Sequence, residues 1–315
     1  MSSYEDIVFS NNTIKLTGVL YKPCNEPYPV VVVLHGSHMG EESHFYYEHL
    51  KSALPQNGIG AFIYDRRGNG RSEGDFNTAS FHDLAQDALA AVNILRKRED
   101  VDEGHIGLYG ISQGAWVASL AASISDTVSF VVLVSASGIS PAKQMLFAAS
   151  ASLNEAGFPA ETVNYALDLK QQVDHYFRGL VPREVIEAKL RASCECSWYD
   201  KAYLPLQGRL PIDIENTKWF YQLDFDPLEY FSKLSTPILF LFADHDVYVP
   251  VEISIENYRI AASKNPEVQF IKIKDADHFM SSPNHHEKRG EFGHISDDYL
   301  NHLIKWLRTH LFIFA

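Results

Sequence analysis

Cysteine is scarce in this chain of 315 residues, which contains only Cys24, Cys194 and Cys196. Two of the three are separated by a single residue, so they are too few and too badly spaced for a disulfide framework. No further ligands at finger-like spacing accompany them, which argues against a structural zinc site. We therefore expect three reduced thiols.

Positive charge is also in short supply, with 27 Lys and Arg against 40 Asp and Glu and a net charge of −13. An acidic surface repels phosphate backbones and anionic lipid, so we expect neither a nucleic acid partner nor attachment to a membrane surface. No run approaches the roughly 18–20 apolar residues of a membrane span, and the first residues lack the basic and apolar regions of a secretory signal. The sequence predicts a soluble, cytoplasmic protein.

Internal repeats, low-complexity runs and Gly- or Pro-rich linkers are absent as well. Hydrophobic residues make up 46% and charged residues 21% of the chain, which is ordinary for a globular protein. The length exceeds the usual ~100–200 residues of one domain but suits a single α/β domain that carries an insertion.

Strand-like and helix-like segments alternate along most of the chain. Strands are predicted at Asp6–Phe9, Ile14–Tyr21, Tyr28–Leu34, Ala61–Tyr64, Ile106–Ile111, Phe130–Ser135, Pro237–Phe242 and Val268–Ile273. Helices are predicted at about Glu42–Leu54, Phe81–Arg98, Gln113–Ser123, Val251–Ser263 and Asp297–Leu311. The first two strands form a hairpin across Asn11-Asn12. The predicted fold class is α/β, a doubly wound and mostly parallel sheet with an antiparallel start.

The alternation stops between Ser140 and Asp224, where the sequence turns helical and aromatic. Helix candidates there are Met145–Leu153, Glu161–Phe177 and Glu184–Arg191. We interpret residues 140–224 as an inserted helical cap and residues 1–139 with 225–315 as the core. The aromatic side chains of residues 140–224 suggest an apolar pocket wall, although they are equally expected in the cap's own hydrophobic core.

The strongest chemical signal is Gly110-Ile111-Ser112-Gln113-Gly114, which matches G-x-S-x-G where a predicted strand runs directly into a helix. A sharp turn at this point requires small residues two positions before and two positions after the serine. It exposes the serine hydroxyl and holds the serine backbone in a strained conformation. This pattern indicates a nucleophile. The alternative is that Ser112 only caps the helix.

This order of elements and motifs resembles the α/β-hydrolase superfamily, and within it the capped bacterial esterases and acyl hydrolases related to serine aminopeptidases and dienelactone hydrolases. The resemblance implies a catalytic triad in the order Ser, acid, His. It places the acid at Asp246 in the segment 242–250, with Asp244 as the alternative, and the base at His278 in the segment 275–279. His285 and His286 are fallback bases in the same loop.

The resemblance also implies an oxyanion hole of two backbone N–H groups. Gln113 supplies one by adjacency, and the loop His35-Gly36-Ser37-His38 supplies the other, with Ser37 favoured over His38. We expect His35 to make a structural hydrogen bond and His38 to contact substrate. The stretch 65–72 resembles the family's D-x-R-G-x-G-x-S loop, which braces the active-site floor; contact of Arg66 or Arg67 with substrate is the alternative.

These residues together predict a serine hydrolase that cleaves a carboxylic ester or thioester through an acyl-enzyme, with no metal and no organic cofactor. Peptidase, amidase or acyltransferase activity on the same triad is the nearest alternative, and a non-catalytic ligand receptor is an alternative from another class. The expected partner is a small-molecule ester or thioester, and a homodimer is left open.

Overall fold

One mixed sheet forms the centre of the molecule in the computed structural model, which describes residues 3–282 and 294–312. Its eight strands in this part of the chain are β1 (Ser3–Asn11), β2 (Ile14–Lys22), β3 (Tyr28–Leu34), β4 (Gly60–Tyr64), β5 (Val101–Ile111), β6 (Val131–Val134), β7 (Ile238–Ala243) and β8 (Val268–Ile273). They lie in the order β1-β2-β4-β3-β5-β6-β7-β8. Strands β1, β2 and β4 pair antiparallel, and all other neighbours are parallel.

Helices cover both faces of the sheet. In chain order they are α1 (Glu48–Gln56), α2 (Phe81–Leu95), α3 (Gln113–Ser123), α4 (Pro141–Glu155), α5 (Ala160–Phe177), α6 (Arg183–Ser193), α7 (Lys218–Gln222), α8 (Pro227–Phe231), α9 (Val251–Ala261) and α10 (Asp297–Leu311). Helices α1 and α10 pack on one face, and α2, α3, α8 and α9 pack on the other. The predicted fold class is therefore confirmed. Among the described residues, no helix combines the length and the apolar character needed to cross a membrane.

Two hydrophobic cores explain why the central strands are apolar throughout. Val30 and Val32 of β3 belong to the core under α2 and α3, whereas Val31 and Val33 belong to the core under α1 and α10. Successive side chains of a strand point to opposite faces, so a strand covered on both faces must be apolar at every position. This is the continuous run from which the strand was predicted.

Several element boundaries differ from the predictions, and the largest differences are at the starts of β5 and α1. Strand β5 begins at Val101 rather than Ile106, because its first residues are partly exposed and offer no apolar run to detect. The first helix was expected from about Glu42, but the chain forms a short 3-10 turn at Phe45–Tyr47 and α1 starts only at Glu48.

Residues 140–224 contain α4 to α7 and two short 3-10 turns, and they bury a hydrophobic cluster of their own. Leu153 of α4, Ala166 of α5 and Leu190 of α6 lie in this cluster and are fully or almost fully buried. The segment contacts the core where Gln222 Nε2 donates to the carbonyl oxygen of Ala79 at 2.8 Å. The division into a core and a cap stays a prediction.

Candidate active site

Ser112 lies in a strained turn between β5 and α3. Its backbone has φ 54° and ψ −117°, a conformation that costs a residue with a side chain about 1–3 kcal/mol. A Cβ at Gly110 would lie 2.2 Å from the carbonyl oxygen of Gly114, and a Cβ at Gly114 would lie 2.3 Å from that of Leu34. Both glycines are therefore required by close backbone contacts. The Ser112 side chain makes no capping hydrogen bond, so the alternative reading as a helix cap is wrong.

Asp246 and His278 form a buried pair at the carboxyl edge of the sheet. Asp246 Oδ2 lies 2.7 Å from His278 Nδ1, and the aspartate side chain is completely buried. Asp246 Oδ1 accepts hydrogen bonds from the backbone N–H groups of Tyr248 at 2.8 Å and Val249 at 2.9 Å. An ionised carboxylate only accepts hydrogen bonds, so Nδ1 of His278 carries the proton and Nε2 is left as an acceptor.

The alternative acid, Asp244, has no contact with His278. Its Oδ1 accepts from the backbone N–H of Ala276 at 3.2 Å, and its side chain is partly exposed. This geometry favours Asp246 over Asp244 as the residue that orients the imidazole. The fallback bases His285 and His286 lie outside the described residues.

The end of β6 connects the Ser112 turn to the His278 loop. The backbone N–H of Ser112 donates to the carbonyl oxygen of Val134 at 2.9 Å, and the hydroxyl of Ser135 donates to the carbonyl oxygen of His278 at 2.8 Å. In the described structure, Ser112 Oγ and His278 Nε2 are not hydrogen-bonded to each other. Catalytic hydrogen bonds are often long before a substrate binds, and they shorten in the complex.

A cavity of about 700 Å³ opens over Ser112. The sequence-predicted residues Ser37, His38, Ser112 and Gln113 line it, and residues of α4, α5 and α7 close it from the other side. Asp246 and His278 are buried and do not form part of its wall. Six of the seven candidate site residues thus lie either in the cavity wall or in the paired acid and base, and Arg66 is the exception.

Two unpaired backbone donors lie at the core side of the cavity. Neither the Ser37 N–H nor the Gln113 N–H donates a hydrogen bond to another described residue. Gln113 begins α3, so its N–H is one of the free donors that every helix N-terminus presents. Unpaired N–H groups that line a cavity can bind an oxygen atom that becomes negative during reaction.

Arg66 holds the loop that carries Ser37. Its guanidinium donates to the carbonyl oxygens of Gly36 at 3.0 Å and Ser37 at 3.1 Å, and it lies over the Phe76 ring at 3.4 Å from the centroid. In a trans peptide the C=O and the following N–H point in opposite directions, so binding the Gly36 oxygen turns the Ser37 N–H away from Arg66. Arg66 is buried and does not line the cavity, which favours bracing over the predicted contact with substrate.

Two cationic side chains, Lys218 and Arg66, lie near His38. Lys218 lines the cavity, and its Nζ lies 4.1 Å from the centroid of the Phe76 ring. Burial, assisted by the charge of Arg66, lowers the pKa of Lys218 to about 8. Burial and the charges of Lys218 and Arg66 also lower the pKa of His38, which keeps this histidine neutral near pH 7. A negative charge that forms here is therefore stabilised.

His35 and the 65–72 loop serve the structure. His35 Nδ1 lies 2.8 Å from the Tyr47 hydroxyl, and burial lowers the pKa of His35 to about 3. Asp65 accepts hydrogen bonds from the backbone N–H groups of Glu42 at 2.7 Å and Arg71 at 2.9 Å. Asp65 therefore links the 65–72 loop both to the segment at Glu42 and to its own backbone at Arg71.

The predicted apolar wall on the insertion side is only partly present. Phe177 and Trp219 line the cavity, but Tyr199 is buried within the insertion, and Tyr165 is about half exposed. Sequence reasoning missed Lys170 and Asp174, two buried ionisable residues of α5 that also line the cavity. They fall on the apolar stripe of α5, where a charged residue is unusual and could have been noticed.

Comparison with protein families gives a match to a model described as "Serine aminopeptidase, S33" over residues 25–178. The human acylamino-acid-releasing enzyme is 30% identical over 93 residues, which cover 30% of this chain and 11% of that enzyme. An uncharacterised Escherichia coli protein, YfhR, is 32% identical over 92 residues, which cover 29% of this chain and 30% of that protein. The matched parts are therefore a minority of each relative.

Solved structures resemble the chain over nearly its whole length. An esterase from Pyrococcus furiosus, Pf2001, superposes with a TM-score of 0.64 at 17% identity and covers 98% of this chain and 92% of its own. Est1E from Butyrivibrio proteoclasticus, with ferulic acid bound, has a TM-score of 0.58 at 16% identity and covers 96% of both chains. At such identities the likeness concerns the fold.

The close contact at Gly114 gives a test of this architecture. We expect Gly114→Ala to lower the free energy of unfolding by roughly 3 kcal/mol, because the new Cβ must displace the backbone at Leu34. Gly104→Ala is the matched control, since its Cβ would meet only Asp102 Oδ1 at 3.5 Å. Urea unfolding of both variants measures the difference. Equal, small effects would show that the backbone contact at Gly114 is not constraining.

Proposed function

We propose that this chain, which has the α/β-hydrolase fold and matches the serine aminopeptidase family model over residues 25–178, is a serine hydrolase that cleaves a carboxylic ester or thioester through an acyl-enzyme. The family match and the esterase folds support a serine hydrolase-type activity. The single observation that carries the finer proposal is the 2.7 Å contact between Asp246 and His278 at the sheet edge where the strained turn of Ser112 opens into a cavity.

In the proposed mechanism, Ser112 is the nucleophile and His278 the general base. A serine hydroxyl is a poor nucleophile at neutral pH, so His278 Nε2 takes its proton as Oγ forms a bond to the carbonyl carbon. The same imidazole then donates that proton to the leaving alcohol or thiol as the carbon–oxygen or carbon–sulfur bond breaks. A water molecule, deprotonated by His278, hydrolyses the acyl-enzyme and restores Ser112. Asp246 stabilises the imidazolium without taking its proton.

We assign the oxyanion hole to the N–H groups of Ser37 and Gln113. The carbonyl oxygen of the substrate gains negative charge in the tetrahedral intermediate, and each donor aimed at it contributes on the order of 3 kcal/mol to lowering the barrier. Arg66 supports this role by holding the Gly36 and Ser37 oxygens. The positive charges of Lys218 and Arg66 further stabilise the negative charge on this oxygen. No step of this mechanism calls on a metal or an organic cofactor.

Peptidase or amidase activity is the second candidate, because the matching family model is that of a serine aminopeptidase and one relative is an acylamino-acid-releasing enzyme. The family match includes Ser112 but ends at residue 178, before Asp246 and His278. Measuring kcat/KM for an ester and for the amide of the same acyl group discriminates between an esterase and a peptidase. A larger kcat/KM for the amide would favour the peptidase.

The inserted segment 140–224 is proposed to cover the site and to select substrates, with a small-molecule ester or thioester as the partner. Its helices α4, α5 and α7 contribute to the cavity wall opposite Ser112. Ligands of open α/β sheets bind outside the carboxyl ends of the strands, which is where this segment leaves the core after β6.

Replacement of the nucleophile is the first test of this mechanism. We expect Ser112→Ala to lower kcat for 4-nitrophenyl acetate by roughly four orders of magnitude or more, because no other hydroxyl occupies the turn. Ser123→Ala, at the other end of α3, is the control and should hydrolyse the ester normally. Wild-type-like turnover by the Ser112 variant would refute the mechanism, and an inactive wild-type protein would favour a ligand receptor.

The acid assignment is tested by two identical substitutions two residues apart. We expect Asp246→Asn to lower kcat by about 10³–10⁴-fold, because an amide facing Nδ1 no longer holds the required tautomer. Asp244→Asn should change kcat less than about tenfold, since the Asp244 carboxylate meets the backbone N–H of Ala276 and the exposed His245 rather than His278. Steady-state hydrolysis of the same ester measures both. The reverse ranking would identify Asp244 as the orienting acid.

A further inference from the structure

Two ionisable side chains of α5 line the cavity that opens over Ser112. Lys170 and Asp174 are both only 6% exposed, and they lie one helical turn apart. Their neighbours on the same wall include Val173 and Phe177, which are apolar. Charged residues are seldom this buried unless they are paired or bind something.

Lys170 has unused hydrogen-bond donors. Its Nζ donates one long hydrogen bond, to the carbonyl oxygen of Tyr203 at 3.4 Å. An ammonium group carries three N–H donors, so two have no protein partner among the described residues. Burial lowers the pKa of Lys170, which is the sign expected of a cation that has lost water without gaining an ion pair.

The carboxylate of Asp174 has no hydrogen-bond partner among the described residues, although the backbone carbonyl oxygen of this residue accepts from Arg178 N–H at 3.1 Å. The carboxylate also forms no ion pair with Lys170, while the nearby Arg178 pairs with Asp224 instead. Burial raises the pKa of Asp174 to about 6, and the charge of Lys170 only partly opposes this shift. The cavity therefore presents an acceptor and a donor side by side, both without adequate partners.

The hydrogen-bonding capacity and charge of Lys170 and Asp174 restrict which chemical group of a bound molecule can contact them. An ammonium group satisfies Asp174 but is repelled by Lys170 and by Lys218, which lines the same cavity. A carboxylate satisfies Lys170 but is repelled by Asp174. An alkyl group leaves both side chains buried and unpaired, which is costly. A hydroxyl group accepts from the ammonium with its oxygen and donates its proton to the carboxylate, so it satisfies both.

We propose that the substrate carries, on the part that lies against α5, a hydroxyl group that accepts a hydrogen bond from Lys170 and donates one to Asp174. This inference rests on the proposed cleavage at Ser112 and names the class of ester that is cleaved: one with a free hydroxyl distant from the scissile bond. Lys170 and Asp174 are specificity-determining residues in this account. They do not take part in the bond-breaking steps.

The test compares 4-nitrophenyl esters of straight-chain acids of graded length that end in a hydroxyl, methoxy, ammonium or carboxylate group. A second series carries the same end groups on the alcohol. At the best length we expect the hydroxyl ester to exceed the methoxy ester in kcat/KM by about 10–100-fold, because the methoxy group cannot donate to Asp174. Equal values at every length, or a preference for the ammonium or carboxylate ester, would overturn the proposal.

Variants show whether this preference comes from the pair. Lys170→Met and Asp174→Asn should each reduce the hydroxyl-to-methoxy ratio, since Met cannot donate and a neutral amide accepts more weakly than a carboxylate, and the double variant should reduce it further. Asp168→Asn, the same substitution at an exposed position of the same helix, is the matched control and should keep the wild-type ratio. The ratio is taken within one protein preparation, so a loss of folded protein cancels. An unchanged ratio in the double variant would overturn the assignment.

Failure of the proposed function would be visible separately. A wild-type protein that hydrolyses 4-nitrophenyl acetate but treats the hydroxyl and methoxy esters alike contradicts only the hydroxyl site. A protein that hydrolyses no ester contradicts the proposed function. In that case calorimetry with the uncleaved esters tests the hydroxyl site by itself. The hydroxyl-site proposal requires the hydroxyl ester to bind more tightly than the methoxy ester.

Discussion

The site depends on the close backbone packing at the turn that carries Ser112. Gly110 and Gly114 contact each other's backbone across the turn, and Gly114 also contacts the end of β3 at Leu34. These contacts leave no room for a Cβ, and they hold Ser112 in a conformation that an isolated serine would avoid. They also bring the first turn of α3 against the loop that follows β3. This packing therefore holds Ser112, the proposed nucleophile, close to the N–H donors of Gln113 and Ser37.

The remaining parts of the site follow from the parallel sheet. Strands β3, β5, β7 and β8 all run in the same direction, so the loops after them meet at one edge. Asp246 follows β7, His278 follows β8, and the carboxylate of the first meets Nδ1 of the second at 2.7 Å. The two ends of the cavity differ in charge. Lys218 and Arg66 favour negative charge near Ser37, whereas α5 presents both a cation and an anion.

The sequence was sufficient for those features that repeat locally or follow a motif. Apolar runs predicted the strands, and the spacing of Gly110, Ser112 and Gly114 predicted the turn, because strands and the turn are each determined by residues that are close together in the sequence. The choice between Asp246 and Asp244 needed the structure, since the two residues differ only in which backbone N–H groups and which histidine their side chains meet. The face that α5 turns toward Ser112 depends on the packing of the whole insertion. Lys170 and Asp174 could be seen as unusual in sequence, but their place in the cavity could not.

The most direct test of the account is to map the residue that reacts with a fluorophosphonate, which forms a stable bond with a serine only when that serine is activated by a base. The labelled protein would be digested and the modified peptide sequenced by mass spectrometry. We expect one adduct per chain, on Ser112, formed rapidly by the wild-type protein and slowly by Asp246→Asn. An unlabelled wild-type protein, or an adduct on a different residue, would contradict the assignment of Ser112 as the nucleophile.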